Sequence, residues 1–81
     1  MTVTTTELTE TCSGKCAMFT CDKVEAFVSR SDVTGWRVIV NNAHHKAWRG
    51  MGKGFETHAE AVAAYKSGAM KAILNAALDV L

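Results

Sequence analysis

The C-terminal third of the chain is its most restrictive feature. Eight alanines fall between Ala59 and Ala77, and alanine is the residue that costs least to place in a helix. Thr57 followed by Glu60 forms a capping box, in which the hydroxyl accepts from the amide three residues on and the carboxylate reaches back. Phe55 stands close to the position of a hydrophobic staple. Val62, Tyr65, Ala69, Ala72, Ala76 and Val80 recur at steps of three and four residues, which gives one apolar face. The pattern predicts one long helix over 57–81. Its weak point is Ser67-Gly68, since an interior glycine costs about 1 kcal/mol relative to alanine. Such a helix needs a layer to lie on, and the preceding residues must supply it.

Residues 17–55 read as that layer. Val24–Arg30 is β-branched and aromatic in content, and Ser31-Asp32-Val33-Thr34-Gly35 then carries turn chemistry. Trp36-Arg37-Val38-Ile39-Val40 is the clearest strand. Asn41-Asn42-Ala43 is a second turn candidate, His45–Met51 a third strand, and Gly52-Lys53-Gly54 closes the segment. Residues 1–16 are rich in threonine and read as an edge strand or a loose arm. The expected fold class is therefore α+β, a single domain over 1–81. It comprises a three-stranded antiparallel sheet, with a fourth N-terminal strand as the alternative, packed on one long C-terminal helix. The predicted core is Phe27, Val38, Val40, Phe55, Val62, Tyr65, Ala69 and Ile73.

The second half of the helix is apolar over most of its circumference, with only Lys71, Asn75 and Asp79 polar between Met70 and Leu81. One face of a three-stranded sheet cannot cover all of it. That surplus predicts an interaction surface at Met70, Ile73, Leu74, Leu78 and Leu81. The cover is a homodimer through the C-terminal helix, another partner, or the N-terminal arm folded over it.

Size and composition narrow the function. Eighty-one residues hold one core. With 48% apolar and 21% charged residues, the chain falls outside the disordered class. No run approaches the ~20 apolar residues of a membrane span, and the N-terminus lacks a signal pattern. The expectation is a soluble cytoplasmic protein with no membrane role. Three cysteines, Cys12, Cys16 and Cys21, argue by their odd number against a disulfide framework. They read as small packed thiols with no cofactor, or as a zinc site in which Cys12, Cys16 and Cys21 are joined by His44. No serine–histidine–acid set, paired carboxylates or phosphate-cradling loop stands out, and Gly50–Gly54 lacks the P-loop spacing. An enzyme is not expected.

The net charge of +1 hides an asymmetry. Between Arg30 and Lys53 there are five basic residues (Arg30, Arg37, Lys46, Arg49, Lys53) and one acid, Asp32; the first thirteen residues carry Glu7 and Glu10 and no base. Both tryptophans, Trp36 and Trp48, lie in the basic window. Guanidinium groups fork onto phosphate or guanine, and a two- or three-stranded sheet can enter a major groove. Arg30, Trp36, Arg37, Lys46, Trp48, Arg49 and Lys53 are the candidate nucleic-acid contacts.

The run Gly35-Trp36-Arg37-Val38-Ile39-Val40, the stretch Gly52–Tyr65 with Phe55, Thr57, Glu60 and Ala64-Tyr65, and then Ala69 and Ala72 together resemble the plant ethylene-response-type DNA-binding domain. Relatives of that domain sit in integrases and homing endonucleases. The resemblance covers Gly35–Ile73, about half the chain. It implies a three-stranded sheet reading the major groove with a helix behind it, and Trp36, Arg37, Trp48 and Arg49 as DNA contacts. The expected function is thus a small non-enzymatic protein that binds duplex DNA with its sheet. The alternative is an interaction protein of phage or mobile-element type that inhibits a host nucleic-acid-processing or defence complex by docking on it, burying Trp, Met and Leu anchors.

Overall fold

The computed structural model describes residues 2–10, 12–33, 35–41 and 53–81. Five strands come first: β1 (Val3–Glu10), β2 (Gly14–Cys21), β3 (Val24–Ser31), β4 (Gly35–Asn41) and β5 (Lys53–Phe55). Two helices follow, α1 (His58–Ala63) and α2 (Gly68–Val80). The strands form one antiparallel sheet in the order β1-β2-β3-β4-β5. The α+β class holds. The sheet is wider than three strands because the threonine-rich N-terminus pairs as β1 and the cysteine-bearing segment as β2. The predicted strand His45–Met51 and the turn after Asn41 lie outside the described residues.

Local chemistry sets the turns. Asp22-Lys23 joins β2 to β3, with Asp22 at φ 54°, a left-handed conformation that aspartate tolerates. Gly35 opens β4 at φ 73°, and a Cβ there would stand 2.5 Å from the Phe55 carbonyl oxygen, so both conformation and space require glycine. The turn between β3 and β4 is tied to the segment before β2: Asp32 N–H donates to the Ser13 carbonyl (3.0 Å), and the Ser31 hydroxyl donates to Ser13 Oγ (3.3 Å). In β1 the register shifts between Thr6 and Thr9, with Glu7 at φ 55°; this bulge breaks the flat edge of the sheet.

Both helices share one hydrophobic core with a single sheet face. Alternation turns Ala17, Phe19 and Cys21 of β2, Ala26 and Val28 of β3, and Trp36 and Val38 of β4 toward Ala61 of α1 and toward Ala69, Met70, Ile73, Leu74 and Ala77 of α2. Of the predicted core, Val38, Ala69 and Ile73 are buried, and Phe55, Val62 and Tyr65 pack at its margin. Two expectations are corrected. Phe27 faces away from the helices, because Ala26 and Val28 take the inward positions on either side of it. Val40 is 47% exposed: β5 begins opposite Val38, so no described strand flanks Val40 on that side.

The predicted single helix is two. The Thr57 hydroxyl accepts from Glu60 N–H (3.2 Å) as the capping box requires, while the Glu60 carboxylate receives the amide of Glu56 rather than that of the cap (3.2 Å). At Ser67 the backbone is extended (φ −66°, ψ 129°), and its hydroxyl accepts from Met70 N–H (3.3 Å), which starts α2 afresh just before Gly68. Two side chains clamp the helices together: His58 Nε2 donates to the Leu74 carbonyl (2.8 Å) and Lys71 Nζ to the Val62 carbonyl (3.0 Å). Because the helix breaks and the sheet has five strands, most of the apolar surplus expected to need another chain is covered within this one. Among the described residues, no helix is long and apolar enough to cross a membrane.

Candidate functional site

The pleat gives the sheet two faces, and the expected site residues divide between them. Trp36 is 4% exposed, beneath the helices, where His58 meets its ring edge-on at 5.3 Å between centroids. It is a core residue, correcting its assignment as a nucleic-acid contact: it shares the inward parity of β4 with Val38, two residues on. Arg30 lies on that same helix-side face and stacks its guanidinium 5.1 Å from the Trp36 ring centroid. Arg37 points the opposite way and is exposed. Lys46, Trp48, Arg49 and His44 lie outside the described residues, and of Lys53 only the strand position is described. The described arginines therefore do not form one basic face.

Neighbouring acids balance the helix-side cations. The end row of this face runs Glu10, Lys15, Arg30, Trp36 across β1–β4. Lys15 Nζ lies 3.7 Å from Glu10 Oε1, both well exposed, so the pair adds little stability. Glu10, Lys15 and Arg30 line a cleft of about 350 Å³ with Asp32 and Leu81. Two bases and two acids leave it with no excess charge.

The thiols do not gather. Cys12 is exposed, Cys21 is buried on the helix side, and Cys16 is half-buried on the other face of the same strand. Five residues of strand separate Cys16 from Cys21, roughly 17 Å at ~3.3 Å per residue. That distance and the opposite facing overturn the proposed zinc set of Cys12, Cys16, Cys21 and His44, since tetrahedral ligands must converge within ~2.3 Å of one ion. Among the described residues no group of three His, Cys, Asp or Glu is placed to hold a metal.

The expected interaction helix is corrected in the same way. Met70, Ile73 and Leu74 are 3%, 0% and 0% exposed, spent on the protein's own core, and Leu81 packs at its edge. Leu78 is the one large apolar side chain of that set with substantial exposure. Burial also raises the Tyr65 hydroxyl above its usual pKa of 10.0, where the ring stands edge-on to Phe55 at 6.1 Å.

The sheet face turned away from the helices has a different character, and no described element covers it. Its middle row runs Thr6, Met18, Phe27, Ile39 across β1–β4. Met18, Phe27 and Ile39 are half-buried and adjacent, an apolar bar across three strands. Toward one end of the strands the next row is Thr4, Thr20, Glu25; toward the other it is Thr9, Cys16, Ser29, Arg37. The bar is thus framed by hydroxyls, with one acid on one side and one base on the other. A shallow groove of about 540 Å³ follows the basic side past Cys16, Phe27, Ser29 and Arg37. The reading of the sequence missed this row in placing Phe27 in the core. A signal was present: on β3 Val24, Ala26 and Val28 share one parity, while Phe27 shares the other with Glu25, Ser29 and Ser31, so alternation puts Phe27 on the face opposite the apolar set.

No family model, curated protein or solved structure matches this chain.

Proposed function

We propose that this chain is a non-enzymatic docking protein that binds another protein surface with the sheet face opposite its helices. The observation that carries the reading is the Met18–Phe27–Ile39 bar. Each of these side chains still shows part of its surface to solvent, and covering the remainder recovers about half of the ~1.5–3 kcal/mol that full burial of such a residue contributes. The surrounding threonines and serines suit a polar rim. The partner surface has an apolar centre and an acid to meet Arg37. A cytoplasmic setting accords with this reading, since three free thiols suit a reducing compartment.

Duplex DNA fits the described face less well. A phosphate-binding surface needs several cations on one side, whereas Arg30 and Arg37 lie on opposite faces and Lys15 is ion-paired.

Photo-crosslinking tests the docking reading directly. Met18→p-benzoylphenylalanine is expected to give a discrete protein adduct in cells, and the same probe at exposed Asn75 on α2 is expected to give none. Loss of the Met18 adduct on adding Phe27→Glu ties it to the bar. Retarded mobility of random duplex DNA at low salt, abolished by Arg37→Glu and unaffected by Phe27→Glu, would instead restore the nucleic-acid reading.

A further inference from the structure

We infer that β1 is the edge by which two copies of the chain join, strand against strand. β1 stands at one end of the sheet. All its residues except Val3 are exposed, so among the described residues nothing covers its outer edge. The bonding pattern of the sheet identifies which of its backbone groups are unused. Ser13 accepts from Asp32 across β2 and β3, and bonded and non-bonded positions alternate along an antiparallel pair. Lys15, Ala17, Phe19 and Cys21 therefore bond to β3, whereas Cys16, Met18 and Thr20 bond to β1. The β1 partners of that second set, Thr9, Thr6 and Thr4, turn their amides and carbonyls toward β2. Val3 and Thr5 are left with an N–H and a C=O each directed out of the sheet.

The same groups of a second copy complement these in one register. A two-fold axis perpendicular to the sheet, beside Thr4, sets the two β1 strands antiparallel with Thr4 against Thr4. Val3 of each copy then forms a bonded pair with Thr5 of the other. Four bonds result, and every outward group of Val3 and Thr5 is satisfied. Thr2 falls against the other copy's Thr6, so threonine meets threonine, a pairing that suits β-branched hydroxyl side chains. Glu7 and Glu10 lie beyond the paired stretch, so no like charges are opposed. Sliding by two residues toward the bulge sets Val3 against Glu7, whose φ of 55° takes its backbone out of the ladder. The edge is thus its own complement, as an isologous interface must be. The helices leave room for it. α2 lies mainly over β2 and β3, which puts the two α2 axes roughly 19 Å apart at ~4.8 Å per strand. Helices in contact need only about 8–10 Å. The product is one continuous sheet with both helix layers on the same side, and its opposite face stays open for a docking partner. So short a junction falls below the ~1,000 Å² of a stable interface, and a dissociation constant on the order of 100 μM is expected.

Sedimentation equilibrium from about 10 μM to about 1 mM tests the pairing, a range that brackets that constant. Wild type is expected to pass from monomer to dimer across it. Thr4→Lys and Thr4→Glu each oppose like charges across the axis, and each is expected to weaken the dimer about tenfold or more with unchanged circular dichroism. An equal mixture of the two is expected to restore association as a heterodimer. Thr5→Pro deletes an outward N–H that the chain's own sheet does not use, and it is expected to fold and stay monomeric. The Thr4 variants keep the test sound if that proline unfolds the protein. A wild type still monomeric at the highest concentration, or a mixture no more dimeric than its components, overturns the self-pairing. So does a Thr4→p-benzoylphenylalanine probe that links in cells only to a different protein, an outcome that gives the edge to an extended segment of that protein.

Discussion

Replacing Phe19 and Phe27 with alanine, one at a time, measures the division of the sheet into two faces. The two phenylalanines lie on neighbouring strands, Phe19 opposite Ala26 and Phe27 opposite Met18. Phe19 is 0% exposed, among the largest side chains of the core. Removing it leaves a cavity that the surrounding β-strands and α2 cannot collapse into fully, so the expected loss is about 3–5 kcal/mol. A chain of this length has about 4–12 kcal/mol in all, so Phe19→Ala lowers the melting temperature by at least ~12 °C or leaves the protein largely unfolded. Phe27 is half-buried on the other face, where truncation opens a dent rather than a sealed hole. Half of the full burial value gives about 0.8–1.5 kcal/mol. Thermal and urea unfolding followed by circular dichroism, at a protein concentration low enough to exclude association, reads both. Equal losses, or a larger loss for Phe27→Ala, would refute the assignment of faces from which the docking surface follows.

Other expectations concern particular joints of the fold. Gly14→Ala places a methyl inside the van der Waals envelope of the Arg30 carbonyl oxygen and 2.9 Å from Ser31 Cα. Both are backbone atoms, so the β2–β3 pair must open there, and faster amide exchange at that end of β2 is the expected readout. Ser67→Ala removes the cap of α2 and is expected to cost about 1 kcal/mol in urea unfolding; no loss would mean that the break between the helices is held by packing alone. Folded Tyr65 holds its proton more tightly than the unfolded chain does. As pH climbs past 10.0 the unfolded state ionises first, and stability falls with rising pH until the folded hydroxyl also titrates. Tyr65→Phe is expected to flatten that part of the alkaline decline in melting temperature, and an unchanged profile would sink the attribution.

Much of the architecture was legible in the residues themselves. Thr57 and Glu60 announce a helix start because their side chains satisfy amides locally, without reference to the rest of the chain. Val24–Arg30 and Trp36–Val40 announce strands through their β-branched and aromatic content, and Ser31–Gly35 announces the turn between them. Ser67-Gly68 marks the weak point of the helix for the same local reason, and the serine becomes the second cap. What local chemistry could not supply is which side of a strand faces inward. Alternation separates a strand into two sets of side chains: on β3 Val24, Ala26 and Val28 against Glu25, Phe27 and Ser29, and on β4 Trp36, Val38 and Val40 against Arg37 and Ile39; it does not say which set the helices cover. Only the fit of α1 and α2 against the sheet selects Ala26 and Val28 over Phe27, buries Trp36 beneath His58, and sends Arg30 and Arg37 to opposite sides. Capping and turn chemistry act over three or four residues and can be read in order along the chain. The choice of face is a property of layers that meet only after folding, since it depends on how much apolar area each arrangement removes from water.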